Sequence, residues 1–129
     1  MSAPPGIVLV VDDNQLNLDL VTDVLEAAGY VVRQAGSAEA ALEEARTVRP
    51  DLILMDIGMP GMDGYAAVKA LKADPPTRRI PVVALTAYAM AGDEQRARDS
   101  GFDGYVTKPI QTRTLAATVA RLLAEWRTS

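Results

Sequence analysis

Five polar residues, each at the end of a short apolar segment, have side chains that can do chemistry together. They are Asp12, Asp13, Asp56, Thr86 and Lys108. An aspartate can attack phosphorus to form an aspartyl phosphate, and carboxylates also bind Mg²⁺. A hydroxyl and an ammonium can stabilise charge on a transferring phosphoryl group. Taken singly, each residue is better explained as a helix cap, a solvated strand end or a surface cation, so the hypothesis requires that they converge.

Short apolar segments that resemble strands alternate with helical patterns along the chain. The predicted strands are 7–11, 30–35, 52–55, 82–85 and 105–106. The first helix should end at Gly29, because glycine favours helix C-termini, and the second should begin after Ser37 as its N-cap. Their predicted apolar stripes are, in order, Leu16, Leu20, Val21, Val24 and Leu25, then Ala38, Ala41, Leu42, Ala45 and Val48.

Three more helices are predicted, over about 64–73, 91–100 and 112–126. The third ends before a Pro-Pro pair, because proline disfavours helix in the residue before it. The fourth carries mostly charged residues and little apolar face, so we expect it to be weakly anchored and able to move. The stripe predicted for the last helix consists of Leu115, Val119, Leu122 and Trp126.

Five apolar strands, each followed by a helix, predict a doubly wound α/β domain. Its parallel sheet should be buried on both faces, with right-handed crossovers. Ligands of such sheets bind outside the carboxyl ends of the strands, where the five polar residues lie. Two carboxylates 4 Å apart repel by roughly 4 kcal/mol at an effective dielectric near 20. A converged cluster therefore needs Lys108 and a hard divalent cation, for which Mg²⁺ is the natural choice.

Asp56 is the predicted nucleophile among the three carboxylates. It ends the apolar strand that is predicted to be central, and the segment after it contains Gly58, Gly61 and Gly64. Glycines let the backbone approach a ligand closely.

The composition excludes several classes of protein. The 129 residues are 49% hydrophobic, typical of one globular domain. With no cysteine and no histidine, the chain has no disulfide, no thiol or imidazole metal ligand and no phosphohistidine of its own. A net charge of −4 without basic clusters argues against direct nucleic-acid binding. No segment resembles a signal peptide or a membrane span, so we expect a cytoplasmic protein.

Several motifs together resemble the receiver domain of bacterial response regulators, over roughly residues 7–123. They are the pair Asp12-Asp13, MDIGMPGMDG around Asp56, Thr86-Ala87, Tyr105 and Lys108-Pro109. The resemblance implies a flavodoxin-like (βα)5 fold with strand order 2-1-3-4-5. It also implies one receiver domain over 1–129, with flexible termini at 1–6 and 127–129, similar to stand-alone chemotaxis and cell-division regulators.

The resemblance further implies a role for each residue at the strand ends. Asp56 would be the phosphoacceptor. Asp13 and Asp56 would bind Mg²⁺, or alternatively Mn²⁺, directly. Asp12 would bind mostly through water, and the backbone carbonyl of Gly58 would be a further ligand.

The same resemblance implies how a signal is received and transmitted. Thr86 and Lys108 would contact the phosphoryl group, and Tyr105 would turn inward as Thr86 moves. Because the chain has no histidine, the donor would be a separate histidine kinase or histidine phosphotransfer protein. A downstream protein would bind the face formed by the fourth helix, fifth strand and fifth helix. The domain would catalyse only its own phosphorylation and dephosphorylation, as a monomer or weak homodimer.

Two other interpretations of the function remain open at this point. A phosphatase or dehalogenase with an aspartyl intermediate resembles a pattern of two aspartates separated by one residue, plus a cap segment. Here Asp12 and Asp13 are adjacent, and 129 residues leave no room for a cap. A receiver-like module that is never phosphorylated would usually lack part of the acidic cluster, and no part is missing here.

Two residues differ from what the family leads us to expect: Gly58 is small and Tyr88 is bulky. Both lie where water or a phosphatase would approach the phosphoryl group. We predict that Gly58→Asn changes the rate of autodephosphorylation without abolishing phosphorylation, as measured by decay of the phosphorylated protein. An unchanged decay rate would contradict this.

Overall fold

Strands and helices alternate strictly along the chain. The computed structural model describes residues 6–56, 64–86, 93–107 and 112–127. The strands are β1 (Ile7–Val11), β2 (Val31–Ala35), β3 (Leu52–Asp56), β4 (Val82–Thr86) and β5 (Gly104–Thr107). The helices are α1 (Gln15–Ala27), α2 (Ala38–Val48), α3 (Gly64–Ala73), α4 (Asp93–Ser100) and α5 (Thr112–Arg127). The flexible termini expected at 1–6 and 127–129 fall almost entirely outside the described residues.

All five strands form one parallel sheet in the order β2-β1-β3-β4-β5, which confirms the predicted fold. β2 lies on one side of β1, and β3, β4 and β5 lie on the other, so the strand order reverses between β1 and β3. In this topology that point is where ligands bind. The register there pairs Val11 with Met55, so the two strands end side by side.

Helices cover both faces of the sheet, as a doubly wound fold requires. One face packs on α1 and α5 through Leu18, Val21, Leu25, Leu115, Val119 and Leu123. The other face packs on α2, α3 and α4 through Ala41, Ala45, Ala67, Val68, Leu71 and Ala97. Because side chains alternate along a strand, Val8 and Val10 of β1 face the first cluster while Leu9 and Val11 face the second.

The predicted burial of the sheet on both faces is incomplete at β2. This strand lies at the edge of the sheet and exposes Val31, Arg33 and Gln34. The exposed polar side chains of β2 make contacts with the neighbouring helices. Arg33 pairs with Glu44 of α2 at 3.2 Å, and Gln34 donates to Thr22 of α1 at 2.8 Å. The inner strand β3, by contrast, is buried at every position.

The apolar stripe predicted for α1 is partly wrong. Leu16 is 80% exposed and Leu20 is 46% exposed, whereas Leu18 is buried together with Val21 and Leu25. At about 100° per residue, Leu18 lies nearly opposite Leu16 on the helix. Leucines occupy both sides of α1, so only the packing against the sheet determines which of them are buried.

The stripes predicted for α2 and α5 are close to those observed. Ala41 and Ala45 of α2 are buried, as predicted. In α5, Leu115 and Val119 are buried as predicted. The next fully buried residue is Leu123, and Leu122 packs half-buried against the same cluster. The side chain of Trp126 lies outside the described part of the structure.

Both predicted helix caps are confirmed. Ser37 is the N-cap of α2, and its hydroxyl accepts the Ala40 N–H at 3.1 Å. Gly29 follows the C-terminus of α1 with φ 99°, a left-handed conformation that glycine adopts without strain.

The amino-terminal edge of the sheet is closed by carboxylates that accept backbone hydrogen bonds. Asp51 accepts the N–H of Ile7 at 2.8 Å, and Asp103 accepts that of Val82 at 2.9 Å. Lys72 of α3 completes this arrangement, because its ammonium donates to Asp103 at 2.7 Å and to the Ile80 carbonyl at 2.9 Å. One side chain thus connects α3 to the beginnings of β4 and β5.

We predict that Lys72→Met lowers the free energy of unfolding by about 2 kcal/mol, because it leaves a partly buried carboxylate without its cation. Urea denaturation measures the change. The matched control is Lys69→Met, at an exposed position of the same helix, which should change stability by less than about 0.5 kcal/mol. Equal effects of the two substitutions would show that the Lys72 contacts contribute nothing.

Candidate functional site

Asp12 and Asp56 lie next to each other at the carboxyl ends of β1 and β3. Asp12 follows Val11 and Asp56 follows Met55, and those two residues are paired in the sheet. Neighbouring strands are about 4.8 Å apart, and residues in equivalent positions project to the same side. The register of the sheet therefore brings together two carboxylates that are distant in the sequence.

Both carboxylates are buried. Asp12 is 3% exposed and Asp56 is 6% exposed, and among the described residues Thr77 is the one other buried polar side chain. Thr77 donates its hydroxyl hydrogen to the Leu71 carbonyl at 2.7 Å, a structural role at the end of α3. Aspartate is almost never buried unless it is paired. Two buried aspartates side by side thus mark this edge as the candidate site.

The first turn of α1 orients Asp12. The Asn14 N–H donates to Oδ1 of Asp12 at 2.9 Å. Asn14 itself is the N-cap of α1, since its side chain accepts the Asn17 N–H at 3.2 Å. The structural explanation of the acidic pair, that it caps this helix, is therefore wrong in its simple form. Asp12 lies just before the cap, with one carboxylate oxygen held by the backbone.

The donor atoms at this edge suit a hard cation. Asp13 is exposed, whereas Asp12 and Asp56 are buried. Within the described ranges, no group of three or more acidic side chains is arranged to hold a metal ion by itself. Mg²⁺ does not require such a group, because it takes one or two carboxylates and keeps several waters. Asp12 and Asp56 provide two carboxylates, so the donor set fits the ion.

The remaining predicted site residues are only partly described. The backbone of Thr86 ends β4 at the same edge, one residue beyond Leu85, which pairs with Asp56. Its own partner in the sheet is Thr107, the residue before Lys108. Lys108 and Gly58 lie outside the described residues, as does Tyr88.

Tyr105 lies on β5, paired with Ala84 of β4. Its half-buried ring packs against the apolar cluster beneath α2, α3 and α4. Ala84 precedes Thr86 by two residues on the same strand. Tyr105 is thus close in the sheet to the strand end where the site lies.

An aromatic contact between α3 and the segment that connects α4 to β5 was not predicted from the sequence. The ring of Tyr65 meets that of Phe102 edge to face at 6.1 Å, and the guanidinium of Arg96 lies 4.5 Å from the Tyr65 centroid. Tyr65 follows directly after the loop that Asp56 begins. No local pattern predicts this contact, because its members come from three separate segments.

The fourth helix has little apolar anchorage. Over residues 95–100, Ala97 alone is buried. The Arg96 contact with Tyr65 adds a cation–π interaction worth about 0.5–1 kcal/mol at exposed sites. This limited burial agrees with the expectation of a weakly held α4.

A pocket of about 360 Å³ opens where α4, β5 and α5 meet. It is lined by residues that include Arg98 of α4, Tyr105 of β5, and Thr118 and Arg121 of α5. No helix in the described ranges combines the length and apolar character needed to cross a membrane.

Known proteins resemble this chain over nearly its whole length. The family model described as "Response regulator receiver domain" matches residues 8–120. The polar-differentiation response regulator DivK of Brucella anthropi is 44% identical over 121 residues, which are 94% of this chain and 98% of that protein. DivK of Brucella ovis is 44% identical over 118 residues, covering 92% of this chain and 96% of that protein.

Solved structures show the same similarity. The chemotaxis response regulator CheY4 of Vibrio cholerae superposes with a TM-score of 0.83 at 33% identity, covering 90% of this chain and 97% of that one. A putative response regulator from Chloroflexus aurantiacus gives a TM-score of 0.85 at 33% identity, covering 93% and 98%.

Receiver domains of response regulators act in two-component signalling, where they receive phosphoryl groups from histidine kinases and bind Mg²⁺ at the phosphorylation site. They are signalling proteins rather than classical enzymes. The family match includes residues of all five strands, and the sheet has the strand order that the resemblance implies. This chain therefore belongs to the family of response regulator receiver domains.

Proposed function

We propose that this protein accepts a phosphoryl group on Asp56 from a phosphohistidine of another protein, in a Mg²⁺-dependent reaction. The observation that supports this most is the burial of Asp56 beside Asp12, at the point where the sheet order reverses. The donor would be a histidine kinase or a histidine phosphotransfer protein, since the chain has no histidine.

In the proposed transfer, a carboxylate oxygen of Asp56 attacks phosphorus in line with the bond to the donor nitrogen. The new O–P bond forms an aspartyl phosphate as the N–P bond breaks, and the imidazole of the donor leaves with that electron pair. Thr86 and Lys108 would contact the phosphoryl oxygens and stabilise their charge. Water would later hydrolyse the aspartyl phosphate, so the domain catalyses only reactions of its own side chain.

The residues that would hold Mg²⁺, or alternatively Mn²⁺, are Asp12, Asp13, Asp56 and the backbone carbonyl of Gly58. When bound, the cation supplies positive charge that both the carboxylates and the phosphoryl oxygens need. Asp13 and Asp56 would bind directly and Asp12 mostly through water. The Asn14 N–H holds one oxygen of Asp12 and so orients this carboxylate at the edge where the cation would bind.

Phosphorylation would change contacts on the face formed by α4, β5 and α5. A phosphoryl group brings roughly two negative charges, by analogy with other phosphorylated side chains, and would draw Thr86 and Lys108 inward. Tyr105 would then turn inward, and α4 would shift because Ala97 alone is buried over residues 95–100. Coupling of about 1–3 kcal/mol is enough to redistribute two existing conformers.

A downstream protein would bind the face formed by α4, β5 and α5 with an affinity that depends on this change. We further propose that the protein works as a monomer or weak homodimer and in the cytoplasm, a reducing compartment that suits a chain without cysteine.

Phosphorylation can be tested with acetyl phosphate and Mg²⁺, followed by intact-mass measurement. We expect the protein to gain one phosphoryl group, and Asp56→Asn to prevent the gain. Asp23→Asn, at an exposed position of α1, should leave it unchanged. Turnover of many small phosphoesters would instead indicate an enzyme, and the absence of any adduct would indicate an inert module.

The electrostatics of the site can be tested by unfolding in a chelating buffer. Asp56→Asn should raise the free energy of unfolding by about 1–3 kcal/mol, because it removes the repulsion between two buried carboxylates. Adding Mg²⁺ should stabilise the wild-type protein by mass action and stabilise Asp56→Asn much less. Asp23→Asn is again the matched control. If Asp56→Asn is less stable than the wild-type protein in the chelating buffer, then other groups of the protein already offset the repulsion between the two carboxylates without a metal ion.

A further inference from the structure

The pocket between α4, β5 and α5 has a charge that points to a particular kind of partner. Its volume of about 360 Å³ is at the small end of the range of binding pockets, roughly 300–1,000 Å³. It can hold one protruding side chain with its immediate neighbours. It lies beside β5, the edge strand of the sheet, so a partner can reach it from solvent.

Two arginines, one from α4 and one from α5, line this pocket. Arg98 is in the last turn of α4 and Arg121 is on α5, and both are exposed. The acidic residue in the lining, Asp103, already receives the ammonium of Lys72 at 2.7 Å and the Val82 N–H at 2.9 Å. The carboxylate is therefore compensated by a lysine from α3. The lining thus contains two guanidiniums beside one carboxylate that already has its own cation, although the chain as a whole carries −4.

Guanidinium groups are well suited to hold a carboxylate. Each has five N–H donors in a rigid fork, so it can engage one acceptor within the protein and still offer a pair of donors to another. The side chains of Arg98 and Arg121 approach from two helices, and the hydroxyl of Thr118 on α5 lies in the same lining. Val106 and Leu122 are also in the lining, but the surface that the pocket presents is mostly polar.

We propose that this pocket binds a Glu or Asp side chain of the downstream protein, held between the guanidiniums of Arg98 and Arg121. The proposal rests on the proposed function, because it specifies the partner chemistry that the signalling face recognises.

Tyr105 gives this pocket a physical connection to the phosphorylation site. Its side chain both lines the pocket and packs against the apolar cluster beneath β4. A change in the position of that ring alters the shape of the pocket and of the cluster together. Affinity for the acidic segment should therefore depend on the phosphorylation state of the domain.

Peptide selection on the full chain tests the proposal. Short random peptides are displayed and selected against the protein with and without acetyl phosphate and Mg²⁺, and selected peptides are then titrated in solution. We expect the selected peptides to be enriched in Glu or Asp. Arg98→Gln and Arg121→Gln should each weaken their binding by about tenfold. Added salt should weaken it further.

Control variants separate lost recognition from lost folding. Arg78→Gln removes an exposed arginine outside the pocket and should leave peptide affinity unchanged. Arg121→Lys keeps the positive charge but loses the paired N–H donors of the guanidinium, so we expect a smaller loss of peptide affinity than for Arg121→Gln. The double variant Arg98→Glu with Arg121→Glu should instead bind versions of the peptides in which lysine replaces the acidic residue. A thermal melt of each variant verifies that it is folded.

Several results would overturn the proposal. Neutral or basic peptides, or the recovery of no peptide whose binding depends on both arginines, would show that the pocket does not select acidic groups. A wild-type dimer that Arg121→Glu dissociates in sedimentation, without peptide binding, would assign the pocket to a second copy of this chain. Phosphoryl uptake on Asp56 is measured on the same variants. If Asp56 gains no phosphoryl group, the proposed function is wrong. Whether peptide binding depends on the charges of Arg98 and Arg121 tests the acidic pocket partner independently of that result.

Discussion

The close placement of two buried carboxylates at the carboxyl edge of a parallel sheet governs how this domain is built and what it can do. Asp12 and Asp56 are fixed by strands whose other residues are almost entirely buried, so neither aspartate can move out to solvent without disturbing the core. The carboxyl ends of strands present backbone carbonyls, which do not compensate a negative charge. Positive charge must therefore come from a cation, from a lysine or from the first turn of α1.

The opposite edge of the same sheet shows how the fold treats aspartates that have only a structural role. Strands present N–H groups at their amino ends, and Asp51 and Asp103 accept them from neighbouring strands. Lys72 adds a full positive charge to Asp103. Carboxylates at this edge are thus satisfied within the protein. The two ends of a parallel strand therefore differ in what they offer an aspartate: N–H groups hold it at the amino end, whereas the carboxyl end does not supply such donors.

The weakest packing lies on the side of the sheet that would carry the signal. α4 has Ala97 as its buried residue over 95–100, and the ring of Tyr65 adds a contact with Arg96. β5 is an edge strand, and its Tyr105 belongs to both the apolar cluster and the surface pocket. Elements held by few apolar contacts change conformation at low free-energy cost. A change at the buried carboxylates therefore meets least resistance in this direction.

The sequence by itself determined what depends on residues close together along the chain. Periodicity specified five strands and five helices, Ser37 and Gly29 marked helix ends, and the spacing of the aspartates indicated the family. Tertiary structure decided which leucines of α1 are buried, how far β2 is exposed, and which segments supply the contact between Arg96 and Tyr65. It also decided that Asp12 and Asp56 are neighbours with buried side chains. Local signals act through backbone geometry over a few residues, whereas these features depend on strand register and on which element packs against which.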